Sequence, residues 1–299
     1  MSISRGIARC RRNGAFTRRP LTFATFQITP GTAGNKDGVT KLNAASPIWH
    51  ALVWIAVYVL LANIGDWISE LFDEPNLATA PLLAVLSVVL FAYVRRNGWL
   101  RYYGLRAPTR DDFAGTAWYI PLGVIVVLQY AKGFRSDLDP TEVLLIVLLM
   151  VSVGFVEELI FRGLLFRAVL TNGTLTRAVL ISGITFGIGH VVNLGRGFTI
   201  AEQLVQIGFG VVLGIVLALL FAVTGTIVPL IVFHALLNIS GNVTAPSSDA
   251  DLVLLAVTAV LCAAYTAYLV SVLRRRGARI GTEPAPRPGP VDRDHGQVR

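Results

Sequence analysis

Apolar stretches long enough to cross a lipid bilayer recur through most of this chain, and they constrain its fold more than any other feature. A helix needs roughly 20 apolar residues to cross about 30 Å of hydrocarbon. The sequence therefore predicts an all-α fold, a polytopic transmembrane helical bundle with about eight spans. Polar residues, glycine or proline separate the eight stretches, which cover roughly residues 47–65, 78–94, 115–131, 141–161, 175–193, 201–223, 226–243 and 251–273.

Composition favours a membrane protein over a soluble one. Of the 299 residues, 54% are hydrophobic and 15% are charged, whereas a soluble domain carries about 25% charged residues. The net charge of +8 could indicate nucleic acid, but the basic residues cluster beside apolar segments, as in proteins that contact lipid headgroups. We therefore expect membrane lipid as a partner and no nucleic acid. Cys10 and Cys262 lie far apart, which argues against a disulfide framework.

The chain is predicted to contain one membrane domain between two polar tails. Residues 1–45 are rich in arginine and lack the apolar core of a signal peptide, so we expect a disordered basic cytoplasmic arm. Residues 46–274 would form the helical membrane domain. Residues 275–299 are rich in proline, glycine and charge, which predicts a disordered cytoplasmic tail.

The distribution of lysine and arginine predicts the orientation, because cytoplasmic loops carry an excess of both. Placing the amino end inside also puts the carboxyl end and the arginine-rich connections 95–114 and 162–177 inside. The loop after the first span then lies outside, and it is acidic, with Glu70, Asp73 and Glu74. We therefore predict an integral protein of the plasma or inner membrane with both termini cytoplasmic.

Three charged residues interrupt the apolar fourth span. A charge at the bilayer centre costs at least about 2.5–3.5 kcal/mol, so each one needs a partner or a function. Adjacent helix positions differ by about 100°, so Glu157 and Glu158 must face different ways. Glu158 and Arg162 have the i,i+4 spacing and order that favour an ion pair. Arg162 is thus predicted to neutralise and orient Glu158, which leaves Glu157 free to face a cavity.

Two histidines lie within later spans. His190 follows Phe186 by one helical turn, and His234 precedes Asn238 by one turn. If the fourth and fifth helices form a hairpin about residues 172–173, Glu157 and His190, whose midpoint is 173.5, are nearly equidistant from the turn. Both would then lie about 22–25 Å from it, at one depth. The depth of His234 relative to this hairpin is not fixed by the sequence.

Small residues recur at i,i+4 spacing in two of these spans. The steps Gly183-x-x-x-Gly187 and Gly210-x-x-x-Gly214 would let helices approach closely around the site.

Three motifs together resemble one protein family. Glu-Glu-x-x-x-Arg at 157–162, Phe-x-x-x-His at 186–190 and His-x-x-x-Asn at 234–238 resemble the CPBP family of intramembrane proteases, also called the CAAX protease, bacteriocin-processing or Abi family. The resemblance covers about residues 141–243. It implies an endopeptidase that hydrolyses, within the membrane, a peptide bond near the carboxyl end of a peptide or membrane-protein substrate.

The resemblance also implies residue roles. Glu157 with His190 would activate the attacking water, and His234 with Asn238 would stabilise the oxyanion. A carboxylate in a cavity of low dielectric is a competent base, and an imidazole or carboxamide can donate to developing negative charge. The supporting residues would be Glu158, Arg162 and Phe186.

The sequence leaves open whether the reaction needs a metal cofactor. The family is customarily labelled metalloprotease, and Glu157, His190 and His234 could bind one divalent metal such as zinc as a three-ligand site. The chain has no His-Glu-x-x-His motif, however, and a glutamate–water mechanism would use the same residues without a cofactor.

Two other classes of protein are compatible with buried glutamates and histidines. A proton-coupled membrane transporter uses such groups as a relay, but transporters more often show paired halves, and no internal repeat is visible. A non-catalytic immunity or scaffold protein would tolerate loss of a motif residue, and none is lost. An endopeptidase whose site opens toward the cytoplasm is the preferred hypothesis.

Overall fold

The computed structural model describes residues 42–43, 45–106, 116–191, 199–246 and 248–277. Within these ranges the regular structure is helical apart from one isolated antiparallel bridge between Phe134 and Thr244, which confirms the all-α prediction. Most of the predicted arm and tail lies outside the described residues. The helices are α1 Pro47–Leu71, α2 Thr79–Arg96, α3 Ile120–Gln129, α4 Pro140–Glu158, α5 Phe166–Asn172, α6 Leu175–Gly189, α7 Ile200–Thr224, α8 Val228–Val243 and α9 Ser248–Arg275.

Five helical segments of the described chain are long and apolar enough to cross a membrane, and three apolar helices are shorter. The five are α1, α2, the continuous segment Pro140–Thr171, α7 and most of α9. The described residues thus form eight apolar helical segments at the predicted places, and the third, fifth and seventh are shorter than the other five. Prolines in the first turn of α3 and α8 start these helices inside their apolar runs, and α6 ends at Gly189. Large apolar side chains exposed on α2, α7 and α9 form the surface expected to face lipid.

The fourth span continues well past its two glutamates, as the absence of a breaker predicts. A capping box between Asp139 and Glu142 starts α4. The helix then widens into a π-helical segment, Leu159–Leu165, before α5. The Phe161 carbonyl in this segment accepts the Phe166 N–H and also a hydrogen bond of 2.8 Å from the Ser182 hydroxyl on α6. Such segments occur frequently at functional sites, and this one contains Arg162.

The predicted hairpin between the fourth and fifth spans is present. α5 ends at Asn172, and the Thr174 hydroxyl caps α6 by accepting the Arg177 N–H at 3.2 Å. α6 then runs back along α5 and the π-helical segment.

Glycines set the distance between α6 and α7. A Cβ atom added at Gly214 would lie 2.7 Å from the Gly183 carbonyl oxygen, and one at Gly210 would lie 3.0 Å from the Gly187 Cα. The two backbones therefore touch, as the small-residue steps predict. Gly154 plays the same part between α4 and α8, where an added Cβ would lie 3.0 Å from the Ala235 nitrogen.

We predict that Gly187→Ala lowers the free energy of unfolding by roughly 1–3 kcal/mol, the usual cost of overpacking. The new methyl group would meet the Val211 nitrogen at 2.5 Å and the Ile207 carbonyl at 2.8 Å. Thermal unfolding in detergent measures the change. Gly123→Ala on α3 is the matched control, because nothing lies within 4 Å of its added Cβ and alanine favours a helix. Equal melting temperatures for the two variants would contradict the close packing.

Candidate active site

A buried ion pair between Arg162 and Glu158 contacts His234, one of the predicted catalytic residues. Arg162 Nη1 donates to Glu158 Oε1 at 2.8 Å, and both side chains are 0% exposed. The predicted pair is therefore formed. His234 Nδ1 lies 2.9 Å from the same oxygen. Because an ionised carboxylate only accepts hydrogen bonds, the network assigns a proton to Nδ1 of His234.

Phe186 lies at the centre of this polar cluster. The Arg162 guanidinium carbon lies 4.2 Å from the centre of the Phe186 ring, within the range of a cation–π interaction. The same ring meets the rings of His190 and His234 edge to face, with centroids 5.4 and 5.5 Å apart. Phe186 therefore fixes the positions of one cation and two imidazoles, and it is 2% exposed.

Glu157 faces away from Glu158, as their helix positions predict. Its Oε1 accepts a hydrogen bond of 2.7 Å from the Tyr58 hydroxyl on α1. Its Oε2 lies 3.5 Å from His234 Nε2. The side chain is largely buried, yet it lines a cavity. Tyr58 therefore holds Glu157 through Oε1, while part of the carboxylate remains accessible.

His190 shares the cavity with Glu157 without touching it. Its Nδ1 lies 3.1 Å from the Phe186 carbonyl oxygen, and Gln203 donates to the His190 carbonyl at 2.8 Å. Because a carbonyl only accepts, Nδ1 of neutral His190 carries the proton and Nε2 has the free lone pair. The direct neighbour of Glu157 among the described histidines is His234, a contact that the sequence did not predict.

The cavity has a volume of about 680 Å³. Near its inner end it is lined by Tyr58, Glu157, Phe186, His190 and Asn238, and it continues along α1 to the loop between α1 and α2. The predicted topology places this loop outside. An opening toward the cytoplasm is therefore incompatible with cytoplasmic termini, so one of these two expectations is wrong.

The three residues considered as metal ligands do not converge. Nδ1 of His234 is bonded to Glu158, and Nε2 faces Glu157. Among the described residues, no group of three or more His, Cys, Asp or Glu side chains is arranged to hold a metal ion. The residues as placed do not fit the three-ligand site, and we derive no step through a metal.

Sequence reasoning missed Tyr58. It lies 99 residues before Glu157 on a different span, and no spacing rule connects the two positions. The available signal was a tyrosine in the middle of an apolar stretch, since transmembrane tyrosines are more common at the membrane interface.

Comparison with known proteins finds a family for part of the chain. Residues 139–240 match the family model described as "Rce1-like: Type II CAAX prenyl endopeptidase Rce1-like". The matched segment contains all three motifs and confirms the family predicted from them. No curated protein and no solved structure matches the chain. The protein is thus an integral membrane protein with a helical bundle. Its residues 139–240, from α4 into α8, are similar to the Rce1-like CAAX endopeptidase family.

Proposed function

We propose that the protein is an intramembrane endopeptidase that hydrolyses peptide bonds of membrane-associated substrates by activating water with Glu157 and His190. The observation that carries this proposal is a mostly buried carboxylate that lines a cavity together with an imidazole and a carboxamide. The family match supports an endopeptidase over a proton-coupled transporter. The presence of every motif residue supports an active enzyme over a non-catalytic immunity or scaffold protein.

Water activation is the first step. Water in the cavity would donate one hydrogen bond to the free Nε2 of His190 and its reacting proton to Glu157. Because Tyr58 donates to Oε1, Oε2 is the oxygen available to take that proton. The resulting hydroxide attacks the carbonyl carbon of the substrate. Glu157 then returns the proton to the leaving nitrogen as the C–N bond breaks.

His234 and Asn238 stabilise the oxyanion in this mechanism. They lie one turn apart on α8, and Asn238 lines the cavity. The cluster contains two carboxylates and one guanidinium, so a second proton on His234 makes it neutral. The Nε2–H of that imidazolium and the carboxamide N–H then donate to the developing negative charge. Glu158, which is paired with Arg162, holds His234 in place through its Nδ1.

We predict that Glu157→Gln lowers cleavage of quenched fluorescent peptides by roughly 10²–10⁴-fold, the usual contribution of a general base. The purified protein in detergent is assayed, and Glu202→Gln is the matched control, because Glu202 is an exposed helix-capping residue. Equal rates for wild type and Glu157→Gln would contradict the mechanism. A strong chelator is added in parallel. We expect no loss of activity, and loss reversed by zinc would contradict a metal-free reaction.

We predict that Tyr58→Phe lowers kcat about 10-fold or more and leaves KM within a few-fold. A hydrogen bond to a charged group contributes about 1.5–3 kcal/mol, and the phenylalanine ring keeps the packing. Tyr93→Phe is the matched control, since it also removes a hydroxyl bonded to a buried residue, His50, at 2.9 Å, but away from the cavity. An unchanged kcat for Tyr58→Phe, or an equal loss in Tyr93→Phe, would show that Tyr58 does not position Glu157.

A further inference from the structure

Charges of opposite sign lie at opposite ends of the bundle. One end, which we call the terminal face, contains the start of α1, the end of α2, the α5–α6 turn, the α7–α8 turn and the end of α9. The described residues of this face include no aspartate or glutamate. Their arginines are Arg95, Arg96, Arg101, Arg106, Arg167, Arg177, Arg274, Arg275 and Arg276.

The other end, the mouth face, contains the α1–α2 loop, the α3–α4 connection and the starts of α4, α7 and α9. Its described acidic residues are Asp66, Glu70, Asp73, Glu74, Asp137, Asp139, Glu142, Glu202 and Asp251. The basic residues described there are Lys132 and Arg135, and both are paired. Lys132 lies 2.8 Å from Asp251, and Arg135 lies 2.6 Å from Asp137.

The cavity leads to the mouth face. Its lining follows α1 outward from Tyr58 through Asp66 and Glu70 to the loop residues 73–76. In the opposite direction the interior is packed, since Arg162, Phe166 and Phe221 are at most 1% exposed. A peptide therefore reaches Glu157 from the mouth face.

Cytoplasmic ends of membrane helices carry the excess of lysine and arginine. The terminal face is therefore the cytoplasmic one. We propose that the catalytic cavity opens on the non-cytoplasmic side of the membrane and takes membrane-anchored peptides exposed on that side. This inference rests on the proposed function for its substrate class. It retains the expectation of cytoplasmic termini and corrects the expectation that the site opens toward the cytoplasm.

The depth of the site limits the substrate further. Tyr58 lies 13 residues before the end of α1 at Leu71, which corresponds to about 20 Å of helix. An extended chain covers about 3.3 Å per residue, so roughly six residues must enter the cavity before a peptide bond reaches Glu157. The substrate is then an exported polypeptide with an extended, unstructured segment next to its membrane anchor. A lipid-modified carboxyl terminus on a cytoplasmic protein does not meet this requirement.

Cysteine labelling tests the orientation without any need for a substrate. Single cysteines are introduced as Glu74→Cys on the mouth face and Arg177→Cys on the terminal face, both at exposed positions. The background carries Cys10→Ser and Cys262→Ala. We expect a membrane-impermeant maleimide to label Glu74→Cys in intact bacterial host cells, and Arg177→Cys only after permeabilisation. Labelling of Arg177→Cys in intact cells would overturn the proposal.

Cleavage by sealed vesicles tests the substrate side. A quenched peptide is added outside right-side-out or inverted inner-membrane vesicles that contain wild type or Glu157→Gln. We expect cleavage dependent on Glu157 from right-side-out vesicles and a rate at least 10-fold lower from inverted ones until detergent is added. A faster rate from inverted vesicles would overturn the proposal. If wild type and Glu157→Gln are equal in detergent, the proposed function fails, whereas the labelling result still decides the orientation.

Discussion

The pairing of Arg162 with Glu158 is the interaction on which the site depends. Both groups are fully buried about halfway along a membrane-spanning helix, where either charge alone would cost several kcal/mol. Together they allow Glu158 to bind His234 as well. In the proposed mechanism a protonated His234 would balance the charge of Glu157, so that the cluster holds an ionised base in a medium of low dielectric. During the proposed reaction Glu157 takes a proton from water, and the positive charge that the cluster gains offsets the negative charge of the oxyanion.

Close helix packing brings these charges together. Gly154 on α4 lets the backbone of α8 approach beside Ala235, and the adjacent His234 thereby reaches both glutamates. The glycines shared by α6 and α7 place the Gly214 carbonyl 3.4 Å from Arg162 Nη2. The π-helical segment that follows Glu158 carries Arg162. Four helices of the matched segment, α4, α6, α7 and α8, thus contribute to the cluster together with the π-helical segment, and α1 adds Tyr58 from outside the match.

Local features of the sequence predict much of this structure. Hydropathy predicts the helical bundle, i,i+4 spacing predicts the Glu158–Arg162 pair, and equal distance from a turn brings Glu157 and His190 to one cavity. The contacts of His234 and Tyr58 were not predictable, because no local rule fixes the relative depth of helices far apart in sequence. The opening of the cavity depends on which helices surround Glu157, which is again tertiary information. The bounds of the three shorter apolar segments were predicted to within a few residues, because polar residues, glycine or proline mark their ends.

An experimental structure of the Glu157→Gln protein with an uncleaved peptide bound would show directly how a substrate meets the proposed catalytic residues. We expect an extended peptide that enters past the α1–α2 loop. One water molecule would separate its scissile carbonyl carbon from the side chain at position 157. Its carbonyl oxygen would lie within hydrogen-bond distance of His234 and Asn238. A peptide bound elsewhere, or one that enters from the arginine-rich terminal face, would contradict this expectation.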